Sequence, residues 1–354
     1  MKCYNKTMSK TNLKALSKLE LEEFIHGSGL PAFRNKQIIH WLYEKYAGSI
    51  QEITELSKDL RERLSEKAYI GNLDMLKRQI SKDGTEKFLF GLEDGESIES
   101  VLITDEDRLT LCISSQVGCA MSCRFCLTGT LGLKRHLEAH EIVDQVISAN
   151  RAIGPRRITN IVLMGMGEPL ANLDNVSEAL WRITGLMNIS PRRITLSTSG
   201  IAPKILELAQ KAPLVNLAIS LNATTDKVRS YIMPINKTYP LKVLLDACRK
   251  YPLPPRRRIT FEYVLLGGVN DSPEDAKRLI SLLRSIPSKV NLIPFNPYEG
   301  SEFRRPEEET VLKFQDILIR GNMTALIRKS KGHDILAACG QLKAGHKFGS
   351  SEER

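Results

Sequence analysis

From about residue 108 the chain repeats one pattern: a short apolar run, a turn, then a stretch whose apolar positions recur every three or four residues. The apolar runs are Leu109–Ser114, Asn160–Met164, Arg193–Thr198, Val215–Leu221, Ile259–Leu265 and Lys289–Phe295. Too short and too evenly apolar for surface helices, they predict strands buried on both faces. The stretches that follow predict helices at 138–153, 173–187, 202–210, 240–251, 273–285 and 307–320. Strand and helix alternating in this way predict a parallel sheet with right-handed crossovers. Six such units are too few to close an eight-stranded barrel, so an open, partial (βα)6 barrel of the α/β class is expected, with its site at the C-terminal ends of the strands. A wide mouth on such a barrel would admit a macromolecule.

The pattern changes upstream. Residues 1–75 read as a mostly helical accessory domain: Ile38, Ile39, Trp41, Leu42 and Tyr46 form a helical stripe, and residues 56–67 predict a second, charged helix. Residues 76–104 alternate apolar and polar positions around the turn pairs Asp83-Gly84 and Asp94-Gly95 and predict a β-hairpin region leading into the core. The core is expected over 105–331 and a C-terminal tail over 332–354.

Composition narrows the class. A chain of 354 residues can hold one large barrel and a small accessory domain. No apolar run is long enough to span a bilayer, and the first residues lack the apolar core of a signal peptide, so no membrane association and a cytoplasmic location are expected. Seven cysteines, odd in number and clustered, do not suggest a secreted disulfide scaffold. The net charge of +10 points to a polyanionic partner. The basic residues fall in groups: Arg156-Arg157, Arg192-Arg193, Arg256-Arg257-Arg258, Arg304-Arg305, and Lys329 with Lys331. Such groups neutralise phosphates, although a merely solvated cationic surface has the same composition.

Directly behind the first strand stands Cys119-x-x-x-Cys123-x-x-Cys126, with Phe125 just before the last cysteine. Three thiolates on one tight loop can hold three irons of a 4Fe-4S cubane, which ordinarily takes four cysteines. The fourth iron is then open to a small molecule, a layout that resembles radical S-adenosylmethionine (SAM) enzymes. A zinc site would need a fourth ligand, and neither His136 nor His140 falls at a usual spacing. A redox pair at Cys123 and Cys126 would leave Cys119 unexplained. The second strand ends in Gly165-Met166-Gly167-Glu168-Pro169, where glycines allow close backbone approach and Glu168 can accept from an ammonium group. Later strands end in Ser197-Thr198-Ser199-Gly200, Ser220-Leu221-Asn222 and Asn296-Pro297, small polar groups suited to a ribose and an adenine edge, or equally to capping helices.

These motifs, with Ser114-Ser115-Gln116-Val117-Gly118-Cys119 and Ala337-Ala338-Cys339-Gly340-Gln341-Leu342, resemble the RlmN/Cfr family of radical SAM RNA methyltransferases over nearly the whole chain. The resemblance implies methylation of an adenosine in 23S rRNA, at the peptidyl-transferase centre, and in the tRNA anticodon loop. Overall likeness, with the extended N-terminal part, favours carbon-2 over the carbon-8 chemistry of the Cfr branch. It implies Cys119, Cys123 and Cys126 as cluster ligands and Gly167, Glu168, Ser197, Ser220, Leu221, Asn222 and Asn296 as SAM contacts. It makes Cys339 the methyl-carrying cysteine, Cys112 its partner thiol and Glu99 the proton acceptor. Two SAM molecules per turnover, an external flavodoxin-like electron donor, a transient disulfide and a monomer are further expectations. Asn222 departs from the family, where histidine is common; asparagine can still hydrogen-bond a ribose. Cys3 and Cys248 read as incidental.

The residues make chemical sense beside the resemblance. An adenine ring carbon is electron-poor and a bad nucleophile, so direct attack on the SAM methyl should fail. A thiolate takes a methyl by simple displacement, and the Ala- and Gly-flanked segment around Cys339 could reach the barrel mouth. Without the resemblance Cys112 is equally a small buried hydrophobe on a strand. A non-catalytic zinc-containing RNA-binding protein is the alternative from another class.

Overall fold

The computed structural model describes residues 10–342; Cys3 and the last residues of the tail lie outside them. The N-terminal unit is built from β1 (Thr11–Asn12), α1 (Lys18–Gly27), α2 (Phe33–Tyr43), α3 (Lys58–Lys67) and β2 (Ala68–Tyr69), with β1 and β2 paired in parallel. Ser17 opens α1 with a capping box: its hydroxyl accepts from the Glu20 amide while the Glu20 carboxylate accepts from the Ser17 amide. The apolar faces of these helices meet through Leu21, Ile25, Ile38, Leu42 and Leu64, all buried. One buried ion pair ties the unit to the core. Lys14 contacts Asp144, and the Asp144 carboxylate also accepts from the Leu73 amide at 2.6 Å.

β3 (Asp74–Ile80), β4 (Glu86–Gly91), β5 (Ser97–Asp105) and β6 (Arg108–Cys112) form an antiparallel meander. It turns at Gly84 and Gly95, both with positive φ. The expected hairpin region is therefore three strands long and continuous with the core: β6 is also the first barrel strand. After it come the small antiparallel ribbon β7 (Gln116–Gly118) and β8 (Leu133–His136), then α4 (Ala139–Ala152), β9 (Asn160–Leu163), α5 (Leu173–Gly185), β10 (Ile194–Thr198), α6 (Ala202–Lys211) and β11 (Asn216–Ser220). The chain continues through α7 (Asp226–Ile232), α8 (Leu241–Lys250), β12 (Ile259–Leu265), α9 (Pro273–Leu283), β13 (Ser288–Pro294), α10 (Glu308–Arg320) and β14 (Ala325–Ile327).

The result is one ten-stranded sheet in the order β14-β13-β12-β11-β10-β9-β6-β5-β4-β3, parallel from β6 to β14. The six expected barrel strands and the six expected helices are all present to within a few residues. The α4 stripe of Ile142, Val143, Val146 and Ile147 is buried, as the amphipathic pattern requires. Three features were not anticipated: α7, the β7–β8 ribbon, and β14, a short seventh parallel strand at the sheet edge. Arg328, the first residue beyond β14, reaches the Met164 sulfur beyond β9 at 3.7 Å. These two strands are far apart in sheet order, so the contact spans the barrel interior.

Candidate active site

The β7–β8 ribbon holds the cysteine loop by its two ends. The Cys119 amide donates to the Gly132 carbonyl at 2.8 Å. Gly118 has φ +76°, and a Cβ there would fall 1.9 Å from the Gly132 oxygen, so only glycine fits. Within the loop the Cys126 amide donates to the Cys123 carbonyl at 3.1 Å. Arg124 anchors the loop outward: its guanidinium meets Glu302 at 2.7 Å and lies 4.3 Å above the Tyr231 ring. Burial pushes all three thiols up, Cys119 to about 12, and the charges of neighbouring cysteines push Cys119 and Cys123 further. Thiolates that repel one another are stabilised by binding cationic iron, which displaces the protons. Each thiol would ligate its own iron of a cubane, so the three need not converge on one point. Among the described residues no three His, Cys, Asp or Glu side chains do.

Glu168 sits against this loop from β9. Gly167, at φ +101°, brings the backbone so close to Gln116 that a Cβ would meet its side chain at 2.6 Å. The Gln116 amide oxygen accepts from the Glu168 amide, and the Glu168 carboxylate accepts from the amides of Ser199 and Leu170. Burial raises the Glu168 pKa while these hydrogen bonds oppose the rise. Ser197 and Ser220 are half-buried at the mouth, and Leu221 is buried. Asn296 is buried, and its Oδ1 has no hydrogen-bond partner among the described residues; the same holds for Ser199 Oγ. Orphaned acceptors and hydroxyls at strand ends fit a ligand rich in N–H and O–H groups. Asn222 is different. At φ +57° it takes a left-handed turn, its Oδ1 accepts from Val264 and its Nδ2 contacts the Met233 sulfur. Both ends of its amide are engaged within the protein.

Cys112 ends β6, buried, and Cys339 lies on the tail with access to the mouth. Burial pushes Cys112 up to about 12, and the nearby Cys339 adds to this. Cys339 is likewise raised by burial, with the Arg328 guanidinium opposing. The residue as a whole is exposed, while its sulfur is desolvated and within electrostatic reach of Arg328, Cys126 and Glu262. Both thiols are free, as is every cysteine among the described residues, so the expected disulfide is not formed. The tail is seated at many points. Gly332 donates to Asp83, Asp334 accepts from Ser81 and Lys82, and Asn296 donates to the Cys339 carbonyl at 3.2 Å. The Leu127 amide, next to Cys126, donates to the Gly340 carbonyl at 2.8 Å, and Thr128 donates to the Leu342 carbonyl. Glu99 is buried on β5, with its backbone carbonyl accepting from Ser114 and its carboxylate 3.2 Å from Lys87.

Comparison with known proteins agrees with this geometry. Residues 113–280 match the radical SAM superfamily, and residues 11–70 match the ribosomal RNA large subunit methyltransferase N-terminal domain. The dual-specificity RNA methyltransferase RlmN of Pelobacter propionicus is 56% identical over 336 residues, covering 94% of this chain and 96% of that protein. The Geobacter sulfurreducens RlmN is also 56% identical, covering 94% and 92%. The chain belongs to the RlmN family. A crystal structure of a radical SAM methyltransferase from Sphaerobacter thermophilus superimposes with a TM-score of 0.91 at 44% identity, covering 95% of this chain and all of that one. Membership brings a 4Fe-4S cluster and SAM as cofactors. The thiols of Cys119, Cys123 and Cys126 fit the cluster, and the unpartnered Asn296 Oδ1 at the end of β13 fits SAM.

Seen as an RlmN-family site, the mouth contains residues that sequence reading missed. Arg229 is fully buried and donates to the carbonyls of Ser199, Ser220 and Leu221, bracing the ends of β10 and β11. Burial lowers its pKa to about 10, which still leaves it charged at neutral pH. Arg328 is held charged against burial by Cys339 and Glu262. Glu262 is buried on β12 and accepts from Asn291 at 3.0 Å. Lys87 was also overlooked. No local motif marks these positions; their neighbours are brought together only by the sheet.

Proposed function

We propose that this chain methylates carbon-2 of adenosine in 23S rRNA and in tRNA, using Cys339 as the methyl carrier. The observation that carries the reading is the seating of the Cys339 tail: it bonds to the backbone of the cluster loop, and its thiol is within electrostatic reach of Cys112. Cys339 takes the methyl from SAM by displacement, forming a carbon–sulfur bond as S-adenosylhomocysteine leaves. Arg328 favours the thiolate that this step needs. The cluster, when bound, supplies the one-electron chemistry on a second SAM that makes the Cys339 methyl able to join an electron-poor ring carbon. Glu99 accepts the ring proton. The Cys112 thiolate then attacks the Cys339 sulfur; the sulfur–carbon bond to the RNA breaks with its electron pair on the carbon, which takes a proton to become the methyl group, and a Cys112–Cys339 disulfide remains. Of the SAM pocket, Glu168 faces the ammonium group, and Gly167, Ser197, Ser220, Leu221 and Asn296 line the rest. Asn222 shapes the β11 exit rather than offering its amide. We also assign an external electron donor of the flavodoxin type, a monomeric state and a cytoplasmic location; among the described residues no helix is long and apolar enough to cross a membrane.

The test is to map the methylated position after purified, cluster-loaded enzyme has reacted with RNA. Nucleoside mass spectrometry should find 2-methyladenosine, and 8-methyladenosine would move the chain to the Cfr-like reading. Cys339→Ala should lose both protein and RNA methylation. Cys112→Ala should still methylate Cys339 and react with RNA but trap a protein–RNA thioether, visible as a denaturant-resistant band. Normal turnover by Cys112→Ala would remove its assigned role.

A further inference from the structure

Lys87 is the second residue of β4 and is buried, on the face of the strand opposite the buried Phe88 and Phe90. A buried ammonium is unfavourable unless it is paired. Its partners are telling. Its Nζ lies 3.2 Å from a Glu99 carboxylate oxygen, and it also donates to the Leu336 carbonyl at 3.3 Å, three residues before Cys339. The sheet register sharpens this. Lys87 on β4 stands opposite Val101 on β5, and Val101 stands opposite Cys112 on β6. Lys87 therefore occupies the same cross-strand row as Cys112, with Glu99 on the diagonal beside it. One ammonium touches the carboxylate and the segment that carries the methyl group, and it shares a row with the partner thiol. The three rotatable donors of lysine suit such a junction.

We propose that Lys87 is a positioning residue for RNA methylation: it holds the Glu99 carboxylate and the Cys339 tail in one fixed relation, so that the ring carbon's proton meets its acceptor when the methyl carrier is in place. This rests on the reading of Glu99 as proton acceptor. Lys87 touches no reacting atom. Its effect falls on the steps after RNA has joined Cys339, not on SAM cleavage or on methylation of the protein.

Lys87→Met keeps the length of the side chain and removes the ammonium. The variant, cluster-loaded, should methylate Cys339, read as the mass of the tail peptide. Its kcat for RNA methylation should fall about 100-fold, the scale of a misplaced reacting group, with KM for RNA unchanged. It should accumulate the protein–RNA thioether, and Lys87→Arg should restore most of the turnover. Glu99→Gln, run in parallel, should trap the same adduct. If Glu99→Gln turns over normally, the proton-acceptor reading fails and takes this proposal with it. If Glu99→Gln traps the adduct and Lys87→Met turns over at the parental rate, the Lys87 assignment alone is overturned. Loss of iron or of Cys339 methylation in folded Lys87→Met also overturns it, since that marks a merely structural residue. Should Lys87→Met not fold, the double variant Lys87→Met/Glu99→Gln, which buries no unpaired charge, carries the test. Single-turnover rates equal to those of Glu99→Gln support a shared role, and a further loss of about tenfold or more overturns it.

Discussion

Arg229 makes four hydrogen bonds without any contact with solvent, to Ser199, Ser220, Leu221 and Asn236. The carbonyls of Ser199, Ser220 and Leu221 are at the strand ends proposed to bind SAM, so the guanidinium braces those ends from behind; the fourth acceptor is the Asn236 side-chain oxygen. Arg229→Met should destabilise the protein by about 3 kcal/mol or more, because several buried acceptors lose their donor together. Urea denaturation monitored by fluorescence measures this, and a loss below about 1 kcal/mol would show that the carbonyls find other partners. Single residues were legible in the sequence where their chemistry is local. Cys119, Cys123 and Cys126 announce themselves by spacing alone. Arg229, Lys87 and Lys14 do not, because a charged residue reads as surface until its partner is known. For Lys14 that partner is Asp144, 130 positions away.

The cysteine loop works as an element because its two ends are pinned by glycine geometry. Gly118→Ala places a methyl on the Gly132 carbonyl and forces a positive φ on a residue with a Cβ. The variant should lose most of its bound iron after reconstitution although all three thiols remain; iron and sulfide assay of the purified protein decides it. Full iron occupancy would show that the loop tolerates the shift. At this scale the sequence was most informative for β9 to β13 and their helices, since long periodic stretches carry their own signal. α7 is only seven residues and β14 only three, too short for a period to register. The β7–β8 ribbon escaped notice for another reason: its two strands are separated by the cysteines, whose motif dominates the reading of that stretch. The continuity of the 76–104 region with the core depended on a pairing between β5 and β6 that the hairpin turns of that region do not encode.

For the whole molecule, the direction of the strands sorts the basic groups that charge alone could not. Arg156-Arg157, Arg192-Arg193 and Arg256-Arg257-Arg258 precede β9, β10 and β12, so they lie at the strand starts, on the face away from the mouth. Arg156 is moreover paired with Glu86. Arg304-Arg305 and Lys329 follow β13 and β14 and are exposed on the mouth side. On the proposed reading, in which RNA delivers an adenine to Cys339, it meets the second set first. Arg304→Ala with Lys329→Ala should therefore weaken RNA binding and flatten the plot of log affinity against log salt by about 1.5, near the value for two lost phosphate contacts. Replacing Arg256, Arg257 and Arg258 together should change that slope little; filter binding across a salt series compares them, and the reverse order would place the RNA on the far face. The unbroken sheet has a separate consequence, in time rather than in space. Because β4 to β6 lie inside one hydrogen-bonded ladder with the barrel, their amides open only when the barrel opens. In deuterium exchange the strands bearing Glu99 and Cys112 should protect as slowly as β12, while α1 and α2, joined to the core through side chains such as Lys14, exchange earlier. The methylation chemistry then sits in the last part of the molecule to breathe, and a partly unfolded enzyme with a loosened N-terminal unit would keep its thiols in register.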